Sequence, residues 1–101
     1  MGFVTIGSGN KLKPGGKMSA EVEGKEICVA NIEGKYYAIG NRCTHAACLL
    51  SDGVLEGKNV VCPCHGSVFN VETGVVVKGP AKKAEPVFQV KVEGDQVLVG
   101  I

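Results

Sequence analysis

Two short stretches near the middle of the chain carry its chemistry: Cys43-Thr44-His45-Ala46-Ala47-Cys48, the first loop, and Cys62-Pro63-Cys64-His65-Gly66-Ser67, the second loop. Each stretch places cysteines close to a histidine, and these two histidines are the only ones in the chain. Thiolate and imidazole suit zinc or iron–sulfur centres and suit magnesium or calcium poorly. The pair of stretches therefore predicts a metal site, with zinc and iron–sulfur both open on ligand chemistry alone.

On both sides of these loops, short alternating apolar segments are separated by glycine turns. The segments read as strands are Met18–Val22, Lys25–Ile32, Lys35–Ile39, Val87–Val92 and Gln96–Ile101. Glu23-Gly24, Glu33-Gly34 and Glu93-Gly94-Asp95 stand between neighbouring segments, which is a hairpin signal. No window has a sustained helical period, although a short helical turn near 48–51 fits the sequence. An all-β antiparallel sandwich or barrel is predicted.

The length of 101 residues fits a single domain. Residues 1–40 and 70–101 are predicted to form its β framework, and about 41–69 a small subdomain of loops that presents the chemistry. A net charge of +1 gives no electrostatic case for nucleic-acid binding. With no secretory signal and no apolar run long enough to cross a bilayer, we expect a monomer in the cytoplasm without membrane insertion. Cys28 stands apart from the loops and is interpreted as a buried apolar residue.

The first and second loops resemble the two cluster-binding boxes of Rieske iron–sulfur proteins. Gly79-Pro80-Ala81 stands where that family has a proline-containing loop over its cluster, so the resemblance covers most of residues 36–101. It implies a small soluble ferredoxin with one [2Fe–2S] cluster, in which Cys43 and Cys62 hold one iron and His45 and His65 hold the other. It also implies a disulfide between Cys48 and Cys64, for which two free thiols are the alternative in a reducing cytosol.

Charge explains why such ligands make an electron carrier. With two thiolates and two neutral imidazoles the oxidised cluster has zero net charge, whereas four thiolates would leave it at −2. Adding an electron to a neutral centre costs less, so the potential rises to roughly −150 to +300 mV, against about −400 mV for plant-type ferredoxins. Because oxidised iron should lower the pKa of a bound imidazole, the potential is expected to fall as the pH becomes alkaline.

Residues around the cluster tune its potential. The resemblance places Gly66 and Pro80 beside the cluster and makes the Ser67 hydroxyl a donor to a bridging sulfide. High-potential relatives have a tyrosine where this chain has Phe69, so one donor is missing and a potential below that of quinol-oxidising Rieske proteins is expected. The expected partners are a reductase and an oxygenase or another redox protein, met through an apolar rim of Ala46, Ala47, Pro80 and Ala81.

Three other interpretations remain open at this point. The four ligands could hold a structural zinc ion, but the Cys48 and Cys64 pair and Ser67 would then lack a common explanation. The protein could instead be a soluble Rieske subunit of a respiratory-type electron-transport chain, because the Cys48 and Cys64 pair and Ser67 resemble features of that branch of the family. An enzyme is disfavoured, because both histidines are committed to the metal and no general base is left for a nucleophile.

Lys78, Lys82 and Lys83 could form a basic edge for an acidic partner, or simply a solvated loop.

Overall fold

The fold of the described residues, which are 2–8, 12–44, 48–64 and 66–100 of a computed structural model, is all-β as predicted. Within them, eleven strands form three antiparallel sheets. The strands are β1 (Phe3–Ser8), β2 (Lys17–Val22), β3 (Lys25–Ile32), β4 (Lys35–Gly40), β5 (Val54–Glu56), β6 (Asn59–Val61), β7 (Val68–Asn70), β8 (Val76–Lys78), β9 (Val87–Phe88), β10 (Val90–Glu93) and β11 (Gln96–Gly100). A 3₁₀ helix, Leu50–Asp52, confirms the predicted helical turn to within two residues.

The three sheets differ in how far apart their strands lie in the sequence. The outer sheet has the order β1-β11-β10 and joins the two ends of the described chain. The central sheet has the order β2-β3-β4-β9, and the third sheet is the meander β5-β6-β7-β8. The predicted hairpins β2–β3 and β3–β4 are confirmed. The predicted C-terminal hairpin is confirmed for β10 and β11, but the predicted strand Val87–Val92 is divided into β9, which pairs with β4, and β10.

The turns of the central sheet follow from the Glu-Gly pairs. Glu23 and Gly24 have φ values of 50° and 80°, and Glu33 and Gly34 have 53° and 90°. Two successive positive φ values characterise the type I′ turn, whose twist matches that of the flanking strands. Glycine at the second position adopts this conformation without a steric penalty.

Strand β3 is buried on both faces, which explains its continuous apolar run. Ile27 and Val29 belong to one core cluster together with Val99 of the outer sheet. Cys28 and Ala30 belong to a second cluster, which includes residues of the third sheet. Because alternate residues of a strand point to opposite faces, the central sheet is packed between the outer sheet and the third sheet.

The middle of the chain holds more regular structure than the predicted subdomain of loops, since β5 to β8 form a sheet of their own. Three connections lead into, within and out of this sheet. Residues 41–53 join β4 to β5, residues 62–67 join β6 to β7, and residues 79–86, which we call the third loop, join β8 to β9. The predicted end of the subdomain near residue 69 stays a prediction, and the third sheet continues to Lys78. In the described part of the chain, no helix has the length and apolar character needed to cross a bilayer.

Candidate metal centre

Asn41 closes the connection that carries the first loop. It is 1% exposed, and its side-chain oxygen accepts the Ser51 N–H at 2.8 Å while its amide nitrogen donates to the Ser51 hydroxyl at 3.0 Å. Its backbone carbonyl accepts the Leu50 N–H at 2.7 Å. A buried amide with both of its ends bonded in this way fixes the base of the connection.

The first loop is also closed nearer to its cysteines. The Cys43 N–H donates to the Cys48 carbonyl at 2.8 Å. On the outer side, the Arg42 guanidinium contacts both carboxylate oxygens of Glu26, at 2.9 and 3.0 Å, which lowers the pKa of that carboxyl. Because both side chains are exposed, this pair contributes little to the stability of the protein.

The second loop is a tight turn between β6 and β7. The Cys62 N–H donates to the Ser67 carbonyl at 2.7 Å, and the Gly66 N–H donates to the Cys62 carbonyl at 3.2 Å. Gly66 has a φ of 78°, a value that glycine adopts without strain. The turn thus brings Ser67, which is fully buried, back to the Cys62 backbone.

A disulfide between Cys48 and Cys64 joins the two loops, with 6.4 Å between the Cα atoms. This confirms the pairing that the resemblance implied. The bond connects loops that are separated by strands β5 and β6. It therefore fixes the first loop relative to the second independently of any metal.

Cys43 and Cys62 are the predicted thiolate ligands that fall within the described residues. Both are unpaired and buried, with exposures of 3% and 2%, and both belong to the core cluster that contains Phe69. The structure thus brings two free thiols from separate loops to the same cluster. His45 and His65, the predicted imidazole ligands, lie outside the described residues, as do Ala46 and Ala47.

The third loop contacts both of the others. The Ala81 N–H donates to the Ser67 hydroxyl oxygen at 3.0 Å, and the Thr44 hydroxyl donates to the Lys83 carbonyl at 2.7 Å. The predicted proline-containing segment therefore lies against both loops, with Pro80 exposed. The bond from Ala81 uses a lone pair of the Ser67 oxygen and leaves the hydroxyl hydrogen available to a further acceptor.

One residue predicted for the apolar rim was assigned wrongly. Ala81 is only 4% exposed and belongs to the core cluster of Cys43 and Cys62. Its N–H is engaged by Ser67, which turns the alanine inward. Of the two rim residues predicted on the third loop, only Pro80 reaches solvent.

Sequence reasoning missed Glu85, a carboxyl buried at the end of the third loop with 5% exposure. Burial raises its pKa from 4.5 to about 7, and hydrogen bonding to the Thr44 backbone partly opposes this rise. Among the described residues, its Oε2 atom has no hydrogen-bond partner. A single acidic residue between Ala84 and Pro86, beyond two exposed lysines, gives no sequence signal of burial.

Known proteins with similar sequences and structures identify the family of this chain. The chain matches the Rieske [2Fe-2S] domain family over residues 2–98. It is 37% identical over 91 residues to the ferredoxin component of the naphthalene 1,2-dioxygenase system of Pseudomonas aeruginosa, which covers 90% of this chain and 88% of the relative. It is similar to the ferredoxin of carbazole 1,9a-dioxygenase from Nocardioides aromaticivorans IC177, with a TM-score of 0.94, 31% identity and coverage of 99% and 98% of the two chains.

A further solved structure shows a ferredoxin of this kind together with its partner. It is described as a complex of reduced oxygenase and oxidized ferredoxin in carbazole 1,9a-dioxygenase, and it matches with a TM-score of 0.92, 30% identity and coverage of 97% and 92%. Relatives of this kind are ferredoxin components of oxygenase systems and not the catalytic enzymes, which confirms the predicted electron carrier. The family match over residues 2–98 also confirms the predicted [2Fe–2S] cofactor. This chain belongs to the Rieske [2Fe-2S] domain family.

Proposed function

We propose that this chain carries single electrons from a reductase to the terminal oxygenase of a dioxygenase system, working as a monomer in the cytoplasm. The observation that carries the proposal is the buried, unpaired Cys43 and Cys62 pair on disulfide-joined loops, in a chain that matches ferredoxin components along nearly their whole length. The cluster, when bound, accepts and releases one electron.

Cys43 and Cys62 hold one iron in this proposal, and His45 and His65 hold the other. The described residues fit such a group, because two unpaired thiols from separate loops share one core cluster. Buried thiolates need a positive partner to offset the loss of hydration, and a pair of iron ions supplies it. The proposed cluster-binding subdomain, about 41–69, contains all four ligands.

Two neighbouring side chains set the electrostatic environment of the site in this proposal. Ser67 is fully buried and keeps its hydroxyl hydrogen for a sulfide, since its oxygen already accepts the Ala81 N–H. A donor of this kind stabilises the more negative, reduced state and raises the potential. Phe69 is also fully buried in the same cluster and donates no hydrogen bond. We therefore propose a potential below that of quinol-oxidising Rieske proteins.

The face that meets the partner is proposed to lie around the exposed part of the third loop. Pro80 is exposed there, and Lys78, Lys82 and Lys83 are exposed beside it. Positive charge at the rim of an electron-transfer site accelerates encounter with an acidic partner and makes the rate depend on salt. An acidic docking surface on the oxygenase is therefore proposed.

The ligand assignment is tested by the low-temperature EPR spectrum of the reduced protein. Mixed nitrogen and sulfur ligation should give an average g value below that of an all-cysteine cluster, and alanine at His45 or His65 should abolish that signal. Cys43→Ser should lose the cluster as well. Cys28→Ala is the matched control, because Cys28 is also a free, buried cysteine of the same core cluster. A colourless protein that contains zinc and no acid-labile sulfide would overturn the assignment.

The partner is tested by mixing the reduced protein with a purified aromatic-ring dioxygenase and following its reoxidation. Rapid reoxidation that slows as the salt concentration rises is expected. The Cys48–Cys64 disulfide favours a second candidate, electron delivery in a respiratory-type chain, because the resemblance associates this bond with the respiratory branch. Faster reoxidation by a soluble c-type cytochrome than by the oxygenase would favour that candidate.

A further inference from the structure

We propose that Glu85 is a positioning residue for the cluster site, whose buried carboxyl holds the peptide between Cys43 and Thr44 in place. The proposal rests on the ligand role proposed for Cys43 and His45, which are the residues immediately before and after Thr44. It assigns to the third loop a function beyond covering the site. Glu85 itself touches no iron in this proposal and acts through the backbone of the first loop.

The end of the third loop is fixed from three sides. The Glu85 N–H donates to the Gly74 carbonyl at 2.8 Å, and the Gly40 N–H donates to the Pro86 carbonyl at 2.9 Å. The Lys83 carbonyl accepts the Thr44 hydroxyl at 2.7 Å. The Glu85 backbone therefore has little freedom, and its side chain must point into the space beside residues 40–44.

That space admits the carboxyl because Gly40 has no side chain there, and Gly74 leaves room for the Glu85 backbone. A Cβ atom built on Gly40 would lie 2.6 Å from the Glu85 Oε1 atom, and one built on Gly74 would overlap the Glu85 carbonyl oxygen. Any side chain at either position would displace the glutamate. The carboxyl thus occupies a close-fitting site at the point where the first loop leaves β4.

Burying a carboxyl in such a site has a free-energy cost that an apolar side chain would not have. Charged side chains are almost never fully buried without a partner, and none of the ion pairs found among the described residues includes Glu85. An apolar side chain of similar volume would fill the space at lower cost. What the carboxyl offers, and an apolar side chain does not, is an acceptor for the Thr44 N–H. The Thr44 backbone lowers the pKa of Glu85 against the larger effect of burial, which is the effect that a donor beside the carboxyl has.

The acceptor role separates two substitutions of similar size. Glu85→Gln keeps a side-chain oxygen that can accept from Thr44, whereas Glu85→Leu removes it and fills the same space. Both side chains are neutral, so a difference between the two variants cannot be due to charge. Glu72→Gln is the control, because Glu72 is an exposed carboxyl that pairs with Lys58.

The experiment records EPR spectra and the rate of cluster loss of the purified, cluster-bearing proteins at pH 6. We expect Glu85→Gln and Glu72→Gln to keep the wild-type g values. Glu85→Leu should shift them and lose its cluster about five times faster, the factor that one hydrogen bond is worth. If the branched leucine prevents folding, Glu85→Met makes the same comparison with an unbranched apolar chain.

Wild-type spectra from the folded apolar variant would overturn the positioning role, as would equal perturbation of the glutamine and apolar variants. These outcomes are distinct from failure of the proposed ligand set. That set fails if the wild-type protein itself lacks the mixed-ligand EPR spectrum, whatever the Glu85 variants do.

Discussion

The pH dependence of stability gives a quantitative test of the environment of Glu85. Its pKa is raised from 4.5 to about 7, chiefly because burial disfavours the charged form. Between these values the folded protein keeps the proton while the unfolded chain releases it. The contribution of Glu85 to the free energy of unfolding therefore has its full value below pH 4.5 and declines as the pH rises to about 7, which is the sign that linkage requires.

The size of this decline follows from the two pKa values. Each pH unit between them costs roughly 1.4 kcal/mol, so the whole interval amounts to about 3 kcal/mol. In a domain of 60 to 100 residues, a change of this size shifts the midpoint of thermal unfolding by on the order of 10 °C. Glu85→Gln removes the titrating group and with it this contribution.

The assay compares thermal unfolding of the wild-type and Glu85→Gln proteins at a series of pH values from 4.5 to 8, at one scan rate. Other titrating groups are common to both proteins and cancel in the difference between the two midpoints. We expect nearly equal midpoints near pH 4.5 and a growing advantage of the glutamine variant up to pH 8. A difference that stays constant over this range would show that Glu85 is ionised in the folded protein at low pH, and the reasoning from burial would be refuted.

Three further predictions concern the packing and the loops. Phe69→Tyr should raise the reduction potential measured by voltammetry by on the order of 20 to 60 mV, the one-electron equivalent of one hydrogen bond, and an unchanged potential would contradict the tuning role. Replacing both Cys48 and Cys64 by serine should lower the free energy of unfolding by about 3 kcal/mol. The disulfide joins residues 16 apart in the sequence, and a loop of about 15 residues gives a stabilisation of this size. Urea denaturation with and without reductant measures the loss. Gly53→Ala should cost more than roughly 2 kcal/mol, since the new Cβ would overlap a backbone carbonyl, whereas Gly57→Ala, where the space is open and φ is 61°, should cost about 1 kcal/mol.

The flanking hairpins could be predicted because their strands are long and their turns carry a clear signal. Strand β3 was predicted with the bounds that it has in the structure, Lys25–Ile32. Its apolar run is continuous because both faces are buried, and Glu-Gly pairs mark both of its ends. Local sequence and tertiary burial agree here, which is the condition under which sequence patterns are most informative.

The third sheet was missed because its strands have only three residues each. Three residues do not establish an alternating pattern, and the cysteines and histidines drew attention to the loops instead. One signal was available. Glu56-Gly57-Lys58 repeats the turn sequence of 23–25 and 33–35 and stands between β5 and β6, which pair as a hairpin. A search for that turn would have found half of the sheet.

The contacts of the third loop could not be predicted, because they join residues that are far apart in the sequence. The Thr44 hydroxyl reaches the Lys83 carbonyl across 39 residues, and the Ala81 N–H reaches Ser67 across 14. Neither bond leaves a pattern in the local sequence. The inward orientation of Ala81 and the burial of Glu85 both follow from such bonds, so the sequence suggested an exposed rim and gave no indication of the carboxyl.

The three free cysteines of the described chain illustrate why burial alone does not make a ligand. Burial raises the pKa of the Cys28 thiol to about 12, so this side chain stays neutral and acts as a small apolar group on β3. Cys43 and Cys62 share its core cluster, but they stand on loops that the Cys48–Cys64 disulfide holds together. Cys28 stands within strand β3, whereas Cys43 and Cys62 stand on the two loops that the disulfide joins. Under the proposed ligand set, the distinction between the structural cysteine and the two ligand cysteines therefore lies in the backbone that carries them, and we predict that Cys28→Ala spares the cluster that Cys43→Ser destroys.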